Sequence, residues 1–184
     1  VSDRFFGYGS LVNLSTHENE DIAPATLSGW RRRWSHRVQR NGFKVSSLSV
    51  IRSPGSEIAG VTAQVPNGDW DALDRREHGY ERLIIPPQEL SPSAHNISVY
   101  KSLPENDHLG NEEFPILQSY LDCVLQGFLH VHGPSSAEAF VASTDGWETP
   151  ILQDRTAPRY PRAITLSSDE TTQIDHLLKS FPKL

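Results

Sequence analysis

The chain has 184 residues, a formal net charge of −6 and 36% hydrophobic residues, enough for one core. The acidic balance gives no electrostatic reason to expect nucleic acid, because neutralising phosphates needs a basic surface and Arg31-Arg32-Arg33 stands alone. No apolar stretch approaches the ~20 residues of a membrane span, so no membrane partner is expected.

In chain order, Arg4-Phe5-Phe6-Gly7-Tyr8 reads as an aromatic strand running into a glycine turn. The acidic run Glu18-Asn19-Glu20-Asp21 reads as a solvated loop. A second strand is expected within Leu27 to Arg40, where Trp30 and Trp34 share one face and predict core packing. Val45 to Ile51 and Ile58 to Val65 are two further apolar runs. Ser53-Pro54-Gly55-Ser56 between them has turn chemistry and predicts a hairpin. Asn67 or Asp69 is placed to cap a short helix carrying Trp70, Leu73 and Asp74 and ending near Gly79. Leu83-Ile84-Ile85 and Ile97-Ser98-Val99-Tyr100 return to strand character.

Beyond about residue 112 the pattern changes. Ile116, Leu117, Tyr120, Leu121, Val124, Leu125 and Phe128 make one apolar helical stripe ending before Gly133-Pro134. Ala137 to Ala142 reads as a helix opened by Ser135 or Ser136. Gly146 to Arg162, rich in proline and arginine, reads as an extended strap. Ser167 and Glu170 have capping-box spacing before a last helix through Leu178. Strands first and helices later predict an α+β fold in a single domain, with a core over about 4–103 and a helical and extended part over about 112–184.

Two stretches carry chemistry. In Phe6-Gly7-Tyr8-Gly9-Ser10-Leu11 a strand stops at a Gly-X-Gly-Ser turn, which can aim consecutive backbone amides at a carboxylate or oxyanion. The stretch lacks the third glycine of a dinucleotide fingerprint and is not a nucleophile elbow. Alone, it reads equally as a plain tight turn. In Leu73-Asp74-Arg75-Arg76-Glu77-His78-Gly79-Tyr80, Glu77 falls at the end of the predicted helix. The macrodipole disfavours negative charge there, an environment expected to raise a carboxylate pKa and suit it to acid/base work. The plain alternative is a solvated helix end with Glu77 paired to Arg75 or Arg76.

Together the two stretches resemble the γ-glutamylcyclotransferase-like superfamily, most closely its ChaC-type branch. Gly29-Trp30-Arg31-Arg32-Arg33-Trp34 and Ile58-Ala59-Gly60-Val61-Thr62-Ala63-Gln64-Val65 are similar to intervening strands of that branch. The resemblance runs from about Phe5 to Ile85. Only His78 separates Glu77 from Gly79-Tyr80, fewer residues than ChaC-type sequences place there.

The resemblance implies a small mixed β-barrel with flanking helices, and a small-molecule γ-glutamyl substrate whose own α-amine attacks its γ-carbonyl to release 5-oxoproline. Glutathione, γ-glutamyl peptides and γ-glutamyl amines all fit. Glu77 would move the proton, and Tyr8, Gly9, Ser10, Leu11 and Tyr80 would line the pocket. No metal or organic cofactor is called for. The alternatives are a non-catalytic binding module for a carboxylate-bearing metabolite and a hydrolase acting on a γ-glutamyl linkage. The strap, including Arg159, Tyr160 and Arg162, is either a seal over the barrel or a lid that supplies ligand contacts.

Other residues carry less. His130 and His132 lack the further ligands a zinc site needs. Cys123, the single cysteine, excludes an intramolecular disulfide, is expected to be buried and fits a reducing, cytoplasmic setting; no signal peptide is read at Val1-Ser2-Asp3-Arg4. Asn13-Leu14-Ser15 and Asn96-Ile97-Ser98 match the glycosylation pattern by chance.

Overall fold

A computed structural model describes residues 3–17, 21–40 and 42–180, so Glu18, Asn19 and Glu20 of the predicted acidic loop lie outside the described residues. Its centre is a curled, mixed seven-stranded sheet, a half-barrel in an α+β fold. Strand β1 (Arg4–Gly7) lies between β3 (Phe43–Gln64), antiparallel to it, and β6 (Ile97–Ser102), parallel to it. On the far side of β3 runs β2 (Ala23–Arg40), which also pairs with the short β5 (Leu90–Ser91) and β8 (Thr144–Asp145). Strand β4 (Tyr80–Ile84) forms the other edge against β6.

The β2–β3 ribbon dominates the sheet. Its reversal lies between Arg40 and Phe43, where Gly42 has φ +81°, in the left-handed region that glycine enters without steric cost. The expected hairpin at Ser53-Pro54-Gly55-Ser56 is therefore corrected. Ile51 pairs with Arg31 and Ile58 with Leu27, so both apolar runs follow the same partner in the same direction. The four residues between Arg52 and Glu57 swell outward opposite Gly29, and the ladder resumes beyond them. Turn chemistry here makes a bulge, because the pairing offered by β2 on both sides outweighs a local reversal.

Inward-facing positions of the ribbon fill the core: Leu27, Trp30 and Trp34 from β2, and Leu48, Val50, Ile58 and Val61 from β3. Trp30 and Trp34 do share a buried face, and Arg32 lies between them, also fully buried. Gly60 is required where β1 crosses β3, since a Cβ there would sit 2.6 Å from Phe6 Cζ.

The helices follow the sequence pattern closely. Helix α1 (Trp70–Arg76) is capped by Asp69, whose carboxylate accepts from the Ala72 amide at 2.9 Å. Helix α2 (Gln118–His132) buries Leu121, Val124, Leu125 and Phe128 in the same core as the sheet. Two-residue strands β7 (Ile116–Leu117) and β9 (Ile151–Leu152) tie its start to the strap. Helix α3 (Ser136–Ala142) contributes Phe140 and Val141 to that core. Helix α4 (Ser168–Ser180) begins with the predicted capping box: Glu170 N–H donates to Ser167 Oγ at 3.2 Å, and Ser167 N–H to Glu170 Oε2 at 2.7 Å. No helix among the described residues is long and apolar enough to cross a membrane.

Candidate active site

At one end of the half-barrel, Ser10, Glu77, Tyr80 and Tyr120 share a cavity of about 90 Å³ with Arg159 and Arg162 of the strap. That is room for a few small groups, well below the roughly 300–1,000 Å³ of a drug-sized pocket. Each wall has a separate structural cause.

The loop after β1 folds into a 3₁₀ turn over Ser10–Val12, closed by the Val12 N–H to Gly9 O bond at 3.0 Å. Two anchors hold it. From beneath, Arg32 Nε donates to Tyr8 O at 2.9 Å. From the side, Asn13 Nδ2 donates to Cys123 O at 2.8 Å and to Gln126 Oε1 at 3.0 Å, fastening the loop to α2. Gly127 permits this approach, since a Cβ there would meet Asn13 N at 2.6 Å. Asn13, buried with its amide committed to α2, is not presented for glycosylation.

Arg32 is the sequence's least expected feature. Among the described residues its guanidinium has no carboxylate partner; it donates to Tyr8 O, Ser143 Oγ and Ala59 O and lies 4.8 Å from the ring centres of Phe128 and Phe140. Burial pushes its pKa down to about 9, and the nearby Tyr8 works weakly against that shift. It fixes the loop's position by three hydrogen bonds and by cation–π contact.

Glu77 occupies the position just past α1, its N–H donating to Leu73 O at 2.9 Å. Its side chain is 18% exposed and 3.3 Å from Arg76 Nε. It therefore faces the cavity wall rather than bulk solvent, and the Arg76 pairing expected of a plain helix end is present too. The Asp74 carboxylate, one turn earlier, explains how α1 is aimed. It accepts from Tyr100 Oη at 2.5 Å and from Arg82 Nε at 3.0 Å, and Tyr100 O accepts from Tyr8 Oη at 2.6 Å. One chain of hydrogen bonds thus links α1, β4, β6 and the start of the loop. These bonds hold the Asp74 carboxyl below its usual range against the effect of desolvation. Tyr8 is pushed well above the ordinary phenol range, chiefly by burial.

Of the sequence-predicted site residues, Ser10, Glu77 and Tyr80 line the cavity together. Tyr8 is buried behind it, Gly9 lies in contact range of Tyr120 and Leu48, and Leu11 packs towards Phe5 and Tyr100. Tyr80 is held by stacking on His36, ring centres 3.7 Å apart, and by donating to Leu48 O at 2.8 Å.

The strap closes one wall of the cavity. Tyr160 is buried and meets Tyr120 edge-on at 5.0 Å, so it seals; Arg159 and Arg162 border the cavity. Burial raises the Tyr160 phenol, while contacts with Ser10 and Arg162 pull it down. Asp154 pins this wall, accepting from Ser119 N at 2.7 Å, Ser119 Oγ at 2.6 Å and Arg159 N at 2.9 Å. Arg32, Asp74, Tyr120 and Asp154 had no site role in the sequence reading. Only the Leu-Asp-x-x-Glu spacing carried a signal, for Asp74.

Elsewhere, His130 Nε2 meets Glu170 at 2.7 Å and His132 Nε2 donates to Gly60 O at 3.0 Å. Among the described residues no cluster of His, Cys, Asp and Glu is arranged for a metal. Cys123 is buried, which pushes its thiol up to about 12.

No family model matches the chain, and no curated protein sequence does. Its shape is similar to solved structures that include the following three. One is described as a gamma-glutamyl cyclotransferase: 17% identical, TM-score 0.58, with 96% of this chain and 99% of that one covered. An uncharacterized protein from Homo sapiens is 16% identical at TM-score 0.59, covering 95% and 98%. YkqA from Bacillus subtilis is 17% identical at TM-score 0.60, with 82% of this chain matching 56% of the longer protein. At these identities the likeness establishes the architecture: the chain has the γ-glutamylcyclotransferase-like fold.

Proposed function

We propose that the chain is a γ-glutamylcyclotransferase that releases 5-oxoproline from a γ-glutamyl compound. The observation that carries this reading is the meeting of Glu77 with Ser10 and Tyr80 in one small cavity, at the end of a fold shared with a cyclotransferase. The cavity's size suits a glutamyl group, with the remainder of the substrate towards the mouth.

In this mechanism the substrate's α-amine attacks its own γ-carbonyl carbon, closing a five-membered ring; orientation by the pocket supplies much of the rate. Glu77 accepts the proton released by the attacking nitrogen and returns it to the leaving nitrogen as the γ-amide C–N bond breaks. Backbone donors of the Tyr8–Leu11 turn hold the α-carboxylate or the developing oxyanion. Tyr8, Gly9 and Leu11 set the turn's shape; Ser10 and Tyr80 contact the glutamyl group. No side-chain nucleophile takes part, in keeping with a Cys123 thiol that is buried and does not line the cavity. A reducing, cytoplasmic setting fits that single thiol.

The Glu77–Arg76 contact is the one observation favouring a second reading, a non-catalytic module that binds a carboxylate-bearing metabolite. Incubation with glutathione, a γ-glutamyl dipeptide and a γ-glutamyl amine in parallel, measuring 5-oxoproline, separates the two. Glu77→Gln is expected to lower turnover about 10²- to 10⁴-fold. Unchanged activity in Glu77→Gln would sink the mechanism, saturable binding without product would favour the module, and free glutamate would indicate hydrolysis.

A further inference from the structure

The His36 imidazole is fully buried and takes no part in the steps above. It reaches the neighbourhood of the cavity through an irregularity in the long ribbon. Trp34 pairs with Leu48, but the next pair is His36 with Ser47, so Ser35 is an extra residue on β2. Cross-strand partners share a face, and successive residues of a strand alternate between faces. In a regular strand His36 would follow Trp34 onto the core face. The bulge turns it instead to the face of Ser47, which lines the cavity. The bulge is itself secured, since Ser35 Oγ donates to Asp107 Oδ1 at 2.6 Å and Ser35 O accepts from the His108 N–H at 2.8 Å.

There His36 meets the segment that carries the acid/base. Its ring stacks on Tyr80 with centres 3.7 Å and planes 23° apart, and its Nδ1 lies 2.8 Å from Ser102 Oγ. The Ser102 N–H in turn donates to Ser49 Oγ at 3.0 Å, so the imidazole is braced from both β6 and β3. Gly79 lets the ring come this close: a Cβ there would stand 3.0 Å from His36 Cε1. Only His78 and Gly79 separate Glu77 from Tyr80, and the Tyr80 N–H donates to Glu77 O at 3.0 Å. Gly79 O also accepts from the Leu103 N–H at 3.0 Å, and so short a turn leaves Glu77 and the Tyr80 ring little independent movement. Resting on the cyclotransferase reading, we infer that His36 is a positioning residue for the acid/base: by stacking on Tyr80 it fixes the Glu77–Tyr80 turn, and with it the placement of the Glu77 carboxylate against the bound glutamyl group. The ring face carries this role rather than the Nδ1 contact, because the face is what Tyr80 touches. A displacement of about 1 Å at the reacting groups is enough to cost about 10²-fold in rate.

The test follows 5-oxoproline release from glutathione and from a γ-glutamyl dipeptide. His36→Ala is expected to lower kcat/KM about 10- to 100-fold, and His36→Phe, which restores a planar face, to stay within about threefold of the unsubstituted chain. His36→Asn, which offers Ser102 a polar partner but no ring, should fall with His36→Ala. In a Tyr80→Leu background the same His36→Ala change should cost less than about twofold, because a residue acting through Tyr80 has nothing left to act on. Melting temperatures of every variant, with assays run well below them, separate lost folding from lost positioning. If His36→Ala does not fold, the Phe and Asn variants decide. Unchanged turnover in His36→Ala, equal losses in His36→Phe and His36→Asn, or a full His36→Ala effect that persists without the Tyr80 ring overturns the inference. If no substrate yields 5-oxoproline, the cyclotransferase reading fails by itself, and calorimetric binding of glutamate decides whether His36 holds the turn. Binding lost in His36→Ala and regained in His36→Phe upholds that hold; equal binding, or none, overturns it.

Discussion

The cavity's two sides are built to different standards of security. The sheet side, comprising the Tyr8–Leu11 turn, Glu77 and Tyr80, is held by continuous strand pairing, by Arg32 from beneath and by the Tyr8–Tyr100–Asp74–Arg82 chain. The strap side has a two-residue parallel pairing, β7 with β9, the buried carboxylate of Asp154, and Arg155 paired with Asp122 and Asp175. One wall is thus part of the cooperative core, and the other is an attachment to it. Loss of one group should therefore have global consequences on the first and local ones on the second.

Arg32→Ala tests the first side and should have the largest effect. It empties a fully buried site and leaves Tyr8 O, Ala59 O and Ser143 Oγ without their donor. A loss of roughly 3–5 kcal/mol is expected in urea unfolding. A loss under 1 kcal/mol would show that the loop does not depend on Arg32. Asp154→Ala comes next, at roughly 2–4 kcal/mol, since three hydrogen bonds to a buried carboxylate are lost. Hydrogen exchange should rise over the strap and the start of α2 while β1 and β3 stay protected; an even rise across the sheet would contradict the contrast drawn above. Asn13→Ala, which cuts the loop from α2, is expected to cost about 1–3 kcal/mol.

The smallest effects concern titration. With its pKa near 12, Cys123 should resist iodoacetamide at pH 8 in the folded protein and react once urea unfolds it. Burial keeps His17 and His132 below the usual histidine range. The unfolded chain therefore takes up protons at these positions first. Their stabilising contribution is fully present above about pH 6.5 and is lost as the pH falls through the lowered folded values. Melting temperatures from pH 7.5 to 5 should decline, and less so in His17→Gln.

Much of the architecture was legible because its determinants are local. Asp69 caps α1 and Ser167 with Glu170 caps α4 through contacts within four residues, and the α2 stripe repeats at helical spacing. The long ribbon was misread at Ser53–Ser56 because proline and glycine mark a turn without saying whether the chain reverses, and that depended on Leu27 and Arg31 in another strand. The Asn41-Gly42 pair was the better sequence signal for a reversal. At the site, Ser10, Glu77 and Tyr80 were legible as parts of spaced motifs. Arg32 was not, because an arginine in a basic run gives no sign that it will be buried between two phenylalanines. Asp154 was not, because only the folded strap brings it to the start of α2.

The modest fastening of the strap also bears on how such a protein changes over generations. Residues 159–162 border the cavity, yet they contribute no strand to the half-barrel. Mutation can lengthen, shorten or recharge this segment while leaving the Glu77 wall and most of the folding energy intact. The strap-side border of the cavity and the scaffold are thereby written in separate stretches of chain, so a lineage can alter the first without endangering the second.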